Sequence, residues 1–192
     1  MNKEASLDSL NGSIKDQYIS NISTIVTLIS FTMLFATLFL GYALYRLTAE
    51  TWPPMGIEAP SLGLPIISTI VIFLSSVSYW MFEKNFEINK ENKGWLWITS
   101  LLGFAFLGTQ VTLWSSLKAS GLYSSSGIFG SIIFGFTWIH AAHILMGIGA
   151  LGWLAIKLKM DDMKLMTVQN VGKFWHFLGI IWLIMFITIF AI

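Results

Sequence analysis

The sequence predicts an all-α integral membrane bundle of five transmembrane helices. Of its 192 residues, 55% are hydrophobic and only 11% are charged, whereas about a quarter of the residues of an ordinary soluble domain carry charge. The charges lie in the N-terminal segment and the linkers, which leaves five long apolar stretches without Asp, Glu, Lys or Arg. This separation excludes a soluble enzyme, a nucleic-acid binder and a secreted disulfide-bonded scaffold.

Each uncharged stretch is long enough to cross a membrane as a helix. About 20 apolar residues span the hydrocarbon core, within a range of roughly 17 to 25, and a helix satisfies its own backbone hydrogen bonds in lipid. We therefore divide the chain into a polar cytoplasmic tail over residues 1–21 and a single membrane domain over residues 22–192. The spans are predicted at about 22–45, 66–82, 95–117, 128–156 and 174–192.

The first span is predicted to stay in the mature chain, because its apolar run is longer than the roughly 7 to 15 residues of a signal-peptide core. The loop that follows, residues 47–65, holds all four prolines. Since the residue before a proline favours extended backbone, we expect a stiff, non-helical loop there.

The second and third spans contain hydroxyl side chains and one amide, Gln110, but no charged group. Ionisable residues inside a membrane are functional candidates by default. None of the five stretches contains a carboxylate, a lysine or an arginine. This composition argues against a carboxylate proton relay, an ion-coupled transporter and a voltage sensor.

The fourth and fifth spans carry the three histidines, His140, His143 and His176. His140 and His143 share one helical face, so they cannot take opposite axial positions on one haem. At about 1.5 Å per residue, His143 and His176 are predicted to differ in depth by around 15 Å, which disfavours a ligand pair between helices. We interpret all three as neutral imidazoles that hydrogen-bond across helices or to lipid headgroups.

Small residues and tryptophans give further packing predictions. Gly147 and Ala150 lie on roughly the same side as the two histidines of the fourth span, which indicates close packing on neighbouring helices or on a partner subunit. Most tryptophans, including Trp175, lie near predicted span ends and are expected to anchor the chain at the membrane interface. Trp138 and Trp182 lie deeper and are expected between helices or subunits.

Lysine and arginine are unevenly divided between the two sides of the predicted bundle. Nine lie in the tail and in the second and fourth linkers, whereas only Arg46 and Lys118 lie on the opposite side. The positive-inside rule therefore predicts a cytoplasmic N-terminus and a periplasmic C-terminus. Because the chain has no cysteine, it has no disulfide, thiolate ligand or thiol nucleophile.

Five ordered motifs resemble subunit III of haem-copper cytochrome c and quinol oxidases, in its short five-helix bacterial form. They cover most of residues 25–186, and they read FATLFLGYALYR, TWPPMGI with the following LGLPIIST, LLGFAFLGTQ, FTWIHAAHILMG and FWHFLGIIW. The resemblance places the family's loop motif at Trp52, Pro53 and Pro54. It makes lipid or subunit-packing candidates of Gln110, His140, His143, Trp175, His176 and Trp182.

The chain also departs from that family. Three positions where the family usually has an acid carry Phe31, Leu113 and Gly179, and two glycine positions of its histidine motif carry Trp138 and Ala141. A proton-antenna role that depends on buried carboxylates is therefore disfavoured. We interpret the chain as a divergent member with a structural role.

The resemblance implies a non-redox accessory subunit in the bacterial cytoplasmic membrane, without catalytic, haem-binding or metal-binding residues of its own. Haem and copper are expected on the catalytic subunit I. The chain is expected to pack against subunit I and other oxidase subunits, to hold structural phospholipids, and to support aerobic electron transport and proton pumping indirectly. A respiratory supercomplex is a further candidate assembly. Two alternatives stay open: an independent haem- or quinone-binding membrane protein, and a small transporter.

Overall fold

The computed structural model describes residues 2–49, 62–88, 93–160 and 163–191, and every regular element in these ranges is helical. All five long helices are long and apolar enough to span a membrane, which confirms the predicted fold class. The elements are α1 (Asn2–Thr48), α2 (Gly63–Glu87), α3 (Gly94–Ala119), α4 (Ile128–Lys159), α5 (Leu165–Met185) and a π-helical continuation of α5, Phe186–Ala191.

The helices extend beyond the uncharged stretches that predicted them. α1 begins within the polar N-terminal segment at Asn2, α2 reaches Glu87, and α5 begins at Leu165. Charged side chains are solvated at the membrane surface, so a helix can continue past the hydrocarbon without penalty. The charge pattern therefore marks the part of each helix in the hydrocarbon, and the helix ends lie further out.

The loop expected over residues 47–65 is shorter at its C-terminal end. α2 begins at Gly63, and Pro65 lies in its first turn, where the backbone N–H that proline lacks would have no helical partner. The Trp-Pro-Pro motif at residues 52–54 lies outside the described residues.

The helices alternate in direction, which gives the bundle two ends. We call the end with the start of α5 and the ends of α2 and α4 the N-side, and the end with Thr48 and the start of α2 the C-side. Near the N-side, Tyr79 of α2 donates a hydrogen bond from its hydroxyl to the carbonyl of Val168 on α5, at 2.7 Å. Near the C-side, the hydroxyl of Tyr42 on α1 donates to the carbonyl of Thr188, at 2.6 Å.

Trp175 of α5 lies at the centre of the core formed by α2, α3, α4 and α5, and it is fully buried. Its indole N–H donates to Ser75 Oγ on α2, at 3.2 Å. An ideal Cβ on Gly103 of α3 or on Gly147 of α4 would lie 2.9 or 2.8 Å from the indole, so both positions require glycine. The expectation that Trp175 anchors the chain at the membrane interface is wrong, because its side chain is buried between helices. The prediction placed Trp175 near a helix end, but α5 begins at Leu165, well before the uncharged stretch.

Hydroxyl groups join α2 to α3. Ser68 Oγ donates to Thr109 Oγ1 at 2.7 Å, and the hydroxyls of Ser78 and Thr99 are 2.6 Å apart. A hydroxyl that is left without a hydrogen bond in an apolar interior costs free energy, and these pairings avoid that cost. These bonds hold the two helices together along much of their length.

α1 is the most exposed helix of the bundle. Among its described side chains, only Phe35 and Tyr42 are buried. At the C-side, Arg46 donates a second bond, at 3.4 Å, to the same Thr188 carbonyl that accepts from Tyr42. This carbonyl belongs to the π-helical turn, a geometry that occurs mostly as short local departures from α-helix.

Candidate functional site

Aromatic contacts link α1 to α4 in the middle of the bundle. The rings of Phe31 and His143 meet edge to face with centroids 4.5 Å apart, and Phe35 lies 5.3 Å from the same imidazole. His143 Nδ1 is 2.7 Å from the carbonyl of Ile139, one turn back on its own helix. His143 therefore joins the two helices through ring packing, whereas we predicted a hydrogen bond across helices.

His140 is completely buried among aromatic rings. Its ring centroid lies 5.7 Å from Phe106 of α3, 5.6 Å from Trp182 of α5 and 6.3 Å from Phe35 of α1. Neither of its ring nitrogens finds a hydrogen-bond partner in the described part of the chain. The predicted interhelical hydrogen bond of His140 is therefore not formed by these residues, and the imidazole is held by packing.

Gln110 and Trp182 do form interhelical hydrogen bonds, both with α2. Gln110 Nε2 donates to Ser68 Oγ at 3.2 Å, and Trp182 Nε1 donates to Thr69 Oγ1 at 3.0 Å. Gln110 Oε1 has no partner within the described ranges. The two side chains are fully buried, so they join helices inside the chain and do not reach lipid or another subunit.

The predicted depth difference between His143 and His176 is wrong. Phe31 contacts His143 and also lies 5.8 Å from Phe174, which precedes His176 by two residues. The prediction took the start of the uncharged stretch as the start of the helix, but α5 begins at Leu165. The two imidazoles nevertheless face different helices, because His176 packs edge to face against Tyr79 of α2 at 6.0 Å.

The three histidines do not converge on a shared space. Across the described ranges, no three side chains of His, Cys, Asp or Glu come together in a group that could hold a metal ion. The hydroxyls of Ser75, Ser78 and Thr99 and the glycine at 103 complete the buried interior, and the sequence analysis gave none of them a role in a site. The spacing of small and hydroxyl residues on α2 and α3 was the available signal for them.

A cleft of about 390 Å³ separates α1 from α4 and α5 at the N-side. Hydroxyls of Ser20 and Thr24 line its rim, and Leu28 and Phe174 line its apolar interior. The cleft shares Trp153 and Thr167 with an adjoining space of about 240 Å³, which Lys157 and Lys164 also line.

Polar side chains bridge the helices on the N-side of this cleft. Asn170 Nδ2 donates to Ser20 Oγ at 3.2 Å, and Lys173 Nζ donates to Asn21 Oδ1 at 2.8 Å. These bonds fix α1 to α5 here, whereas α4 stays apart from α1.

A second cleft, of about 420 Å³, opens between α1 and α4 at the C-side. Gly41 and Tyr45 line it from α1, and Ser131, Gly135 and Ile139 line it from α4. The contacts of Phe31 and Phe35 with the histidines lie between the two clefts. α1 and α4 therefore touch in the middle of the bundle, and Phe39 and Tyr42 also contact Phe136 beside the C-side cleft, with ring centroids 5.1 and 6.4 Å apart.

Comparison with known proteins places these features in a family. The family model described as cytochrome c oxidase subunit III matches residues 8–192. The chain is 31% identical over 186 residues to cytochrome c oxidase subunit 3 of Corynebacterium diphtheriae, which covers 90% of this chain and 87% of the relative.

Two other relatives come from different bacteria. The chain is 29% identical over 179 residues to cytochrome c oxidase subunit 3 of Thermostichus vulcanus, covering 89% of this chain and 86% of that one. It is 30% identical over 169 residues to cytochrome bo(3) ubiquinol oxidase subunit 3 of Pseudomonas aeruginosa, covering 82% and 78%. These matches confirm the resemblance inferred from the motifs: this multi-pass membrane chain belongs to the cytochrome c oxidase subunit III family.

Proposed function

We propose that this chain is a non-redox subunit of a bacterial haem-copper terminal oxidase that stabilises the catalytic subunit I and binds phospholipid. Family membership supports association with other oxidase subunits. The two clefts between α1 and α4, one on each side of the aromatic contacts of Phe31 and Phe35 with the histidines of α4, are the observation that carries the lipid part of the proposal.

The N-side cleft has the chemistry of a phospholipid site. Its interior is apolar, its rim carries hydroxyl groups, and the adjoining space is lined by Lys157 and Lys164. Lysines near a membrane surface attract anionic headgroups, at roughly 1 kcal/mol each. An acyl chain beside Leu28 and Phe174 would fill the gap that α1 leaves against α4.

The exposure of α1 supports a subunit-packing role. Most of its described side chains in the membrane are exposed, and Leu40 and Leu44 are more than half exposed. A helix with so few contacts inside its own chain gains packing from lipid or from a neighbouring subunit. We propose the bacterial cytoplasmic membrane as the location, with the N-side cytoplasmic because most lysines lie there.

The haem and copper of the proposed oxidase belong to subunit I. The chain's own histidines pack in separate places, because His140 and His143 lie on α4 and His176 lies on α5. The chain's contribution is therefore to hold helices, lipid and the neighbouring subunit, and so to support electron transport and proton pumping indirectly.

Affinity purification of the tagged chain in mild detergent tests the assembly. We expect subunit I to co-purify with its haem spectrum, and the chain expressed alone to show no haem absorbance. Recovery without any oxidase subunit, or a stoichiometric haem b spectrum from the chain alone, would contradict the proposal.

Native mass spectrometry of the complex tests the lipid site. Lys157→Ala with Lys164→Ala should lower the retained anionic phospholipid, since both lysines line the N-side space. Lys118→Ala is the matched control because Lys118 lies at the C-side end of α3. Equal lipid retention in all three proteins would argue against a headgroup site at these lysines.

A further inference from the structure

A groove of about 330 Å³ runs between α2 and α5, away from both clefts of α1. Its volume is within the range of about 300 to 1,000 Å³ that is usual for small-molecule sites. Phe73 and Ile180, on its two sides, are 66% and 58% exposed. The groove therefore opens towards the membrane, and a lipid-soluble molecule can enter it from the side.

Two polar groups in this groove have no hydrogen-bond partner among the described residues. Ser76 Oγ and the imidazole of His176 both line the groove, and His176 makes a ring contact with Tyr79. The neighbouring hydroxyl of Thr69 is different, because it already accepts from Trp182 and donates to the carbonyl of Pro65. A hydroxyl and a neutral imidazole can each donate one hydrogen bond, and in lipid such donors gain from an acceptor.

Gly179 keeps the space beside these donors open. An ideal Cβ at this position would lie 3.1 Å from Ser76 Oγ and 3.9 Å from Ile72. A larger side chain would enter the groove directly between α2 and α5. The groove therefore depends on the glycine.

The ends of the groove differ in polarity. On its N-side, Glu83 Oε2 would be 3.0 Å from a Cβ on Gly172, one turn from His176, so a carboxylate lies near that end. Towards the C-side, the walls are Ile72, Ile180 and Leu183. None of the residues that line the groove is a lysine or arginine that would hold a phosphate, whereas a neutral head with an apolar tail fits both ends.

We propose that this groove binds the carbonyl ring of a membrane quinone. A quinone carbonyl accepts hydrogen bonds and has no donor of its own, which matches the two donors of Ser76 and His176. Its hydrocarbon tail would lie along Ile180 and Leu183 towards the C-side, because Ser76 and His176 lie near the middle of α2 and α5. The site binds the quinone without a redox step, and it is separate from the assembly and lipid roles proposed above.

Photolabelling of the full chain in phosphatidylcholine nanodiscs tests this site. The probe is an azido-substituted benzoquinone with a decyl tail, and labelled peptides are mapped by mass spectrometry. We expect labelling to concentrate on residues 69–76 and 176–183. An excess of unlabelled decyl-benzoquinone should suppress it, and added anionic phospholipid should not.

Variants distinguish the groove from the general lipid surface. Gly179→Leu should abolish the focused labelling by filling the groove. Ser76→Ala with His176→Phe should weaken quinone binding about tenfold by removing both hydrogen bonds. Gly149→Leu is the control, because a Cβ at Gly149 meets nothing within 4 Å, and it should label as the unaltered chain does.

Three outcomes would overturn the proposal. These are labelling spread evenly over all exposed helices, labelling unchanged in both groove variants, and competition by phospholipid in place of quinone. If Gly179→Leu does not fold, the Ser76 and His176 variant gives the decision alone. Because the isolated chain is used, failure here leaves the proposed assembly with subunit I unaffected.

Discussion

The ring edge of Phe31 on α1 meets the imidazole of His143 on α4 with centroids 4.5 Å apart. The family resemblance places Phe31 at a position where that family usually has an acid, and in this chain the phenyl ring makes the contact. The contact between these two positions is therefore aromatic packing. It also determines where α1 touches α4, because the two clefts open on either side of it.

Phe31→Ala should loosen α1 from the rest of the bundle. Edge-to-face aromatic pairs contribute about 0.5–1.5 kcal/mol beyond the burial of their surface, and Phe31 also contacts Phe174. We expect the free energy of unfolding in bicelles to fall by about 1–2 kcal/mol. Phe104→Ala is the control, since Phe104 is 58% exposed, and an equal loss in both variants would show that the ring contact is unimportant.

Gly147→Val should destabilise the bundle by overpacking. A Cβ at Gly147 would lie 2.8 Å from the buried indole of Trp175 and 3.1 Å from Leu178, and extra atoms in a packed core cost about 1–3 kcal/mol. Gly149→Val, two residues along the same helix, should be nearly neutral because its Cβ would be in open space. Thermal unfolding of the two purified variants makes the comparison, and similar midpoints would refute the close approach of α4 to α5.

The hydroxyl pair Ser78 and Thr99 should show measurable coupling between α2 and α3. Interhelical hydrogen bonds in a membrane protein average about 0.6 kcal/mol by double-mutant cycles, with a maximum of about 1.7 kcal/mol. Because both hydroxyls, 2.6 Å apart, also lie within hydrogen-bond distance of the Trp95 carbonyl, we expect a coupling close to that average. The cycle uses Ser78→Ala, Thr99→Val and the double variant. Ser115→Ala is the reference, because the hydroxyl of Ser115 donates to the carbonyl of Val111 in its own helix.

His140→Leu should leave stability unchanged or raise it. The buried ring nitrogens of His140 have no partner in the described ranges, and replacing an unsatisfied polar group with an apolar one of similar shape removes a desolvation cost. The comparison is Tyr79→Phe, which removes the 2.7 Å hydrogen bond of the buried Tyr79 hydroxyl to the carbonyl of Val168 and should destabilise. A loss of several kcal/mol for His140→Leu would mean that a polar group outside the chain's described residues satisfies the imidazole.

The number and type of helices followed from the sequence because lipid excludes charge, so uncharged length alone located five spans. The same signal misplaced Trp175 and His176. Lys173 directly precedes the last uncharged stretch, yet it lies within α5. Its ammonium group is satisfied there, because it donates to the amide oxygens of Asn21 and Asn170 at 2.8 and 3.2 Å. A charge satisfied by neighbours does not mark the end of a helix.

The sequence predicts the length of each helix better than it predicts which face of the helix is buried. All five spans are apolar on every side, so periodicity does not distinguish a core face from a lipid face. His140 and Gln110 were selected for their polarity and Trp182 for its depth, and each proved to be fully buried. The glycine at 103 was not selected, because its role depends on an indole that reaches it from another helix.

The bond from Tyr42 to Thr188 joins residues 146 positions apart in the chain. Chains are synthesised from the N-terminus at about 5–20 residues per second, so the first membrane helix is made long before the carbonyl that it binds. During that interval α1 must stay in the bilayer on its own hydrophobicity, as independently stable helices do before they associate. Completion of the last helix is therefore the event that closes this bundle, and a chain truncated before residue 188 would leave its first helix without this attachment.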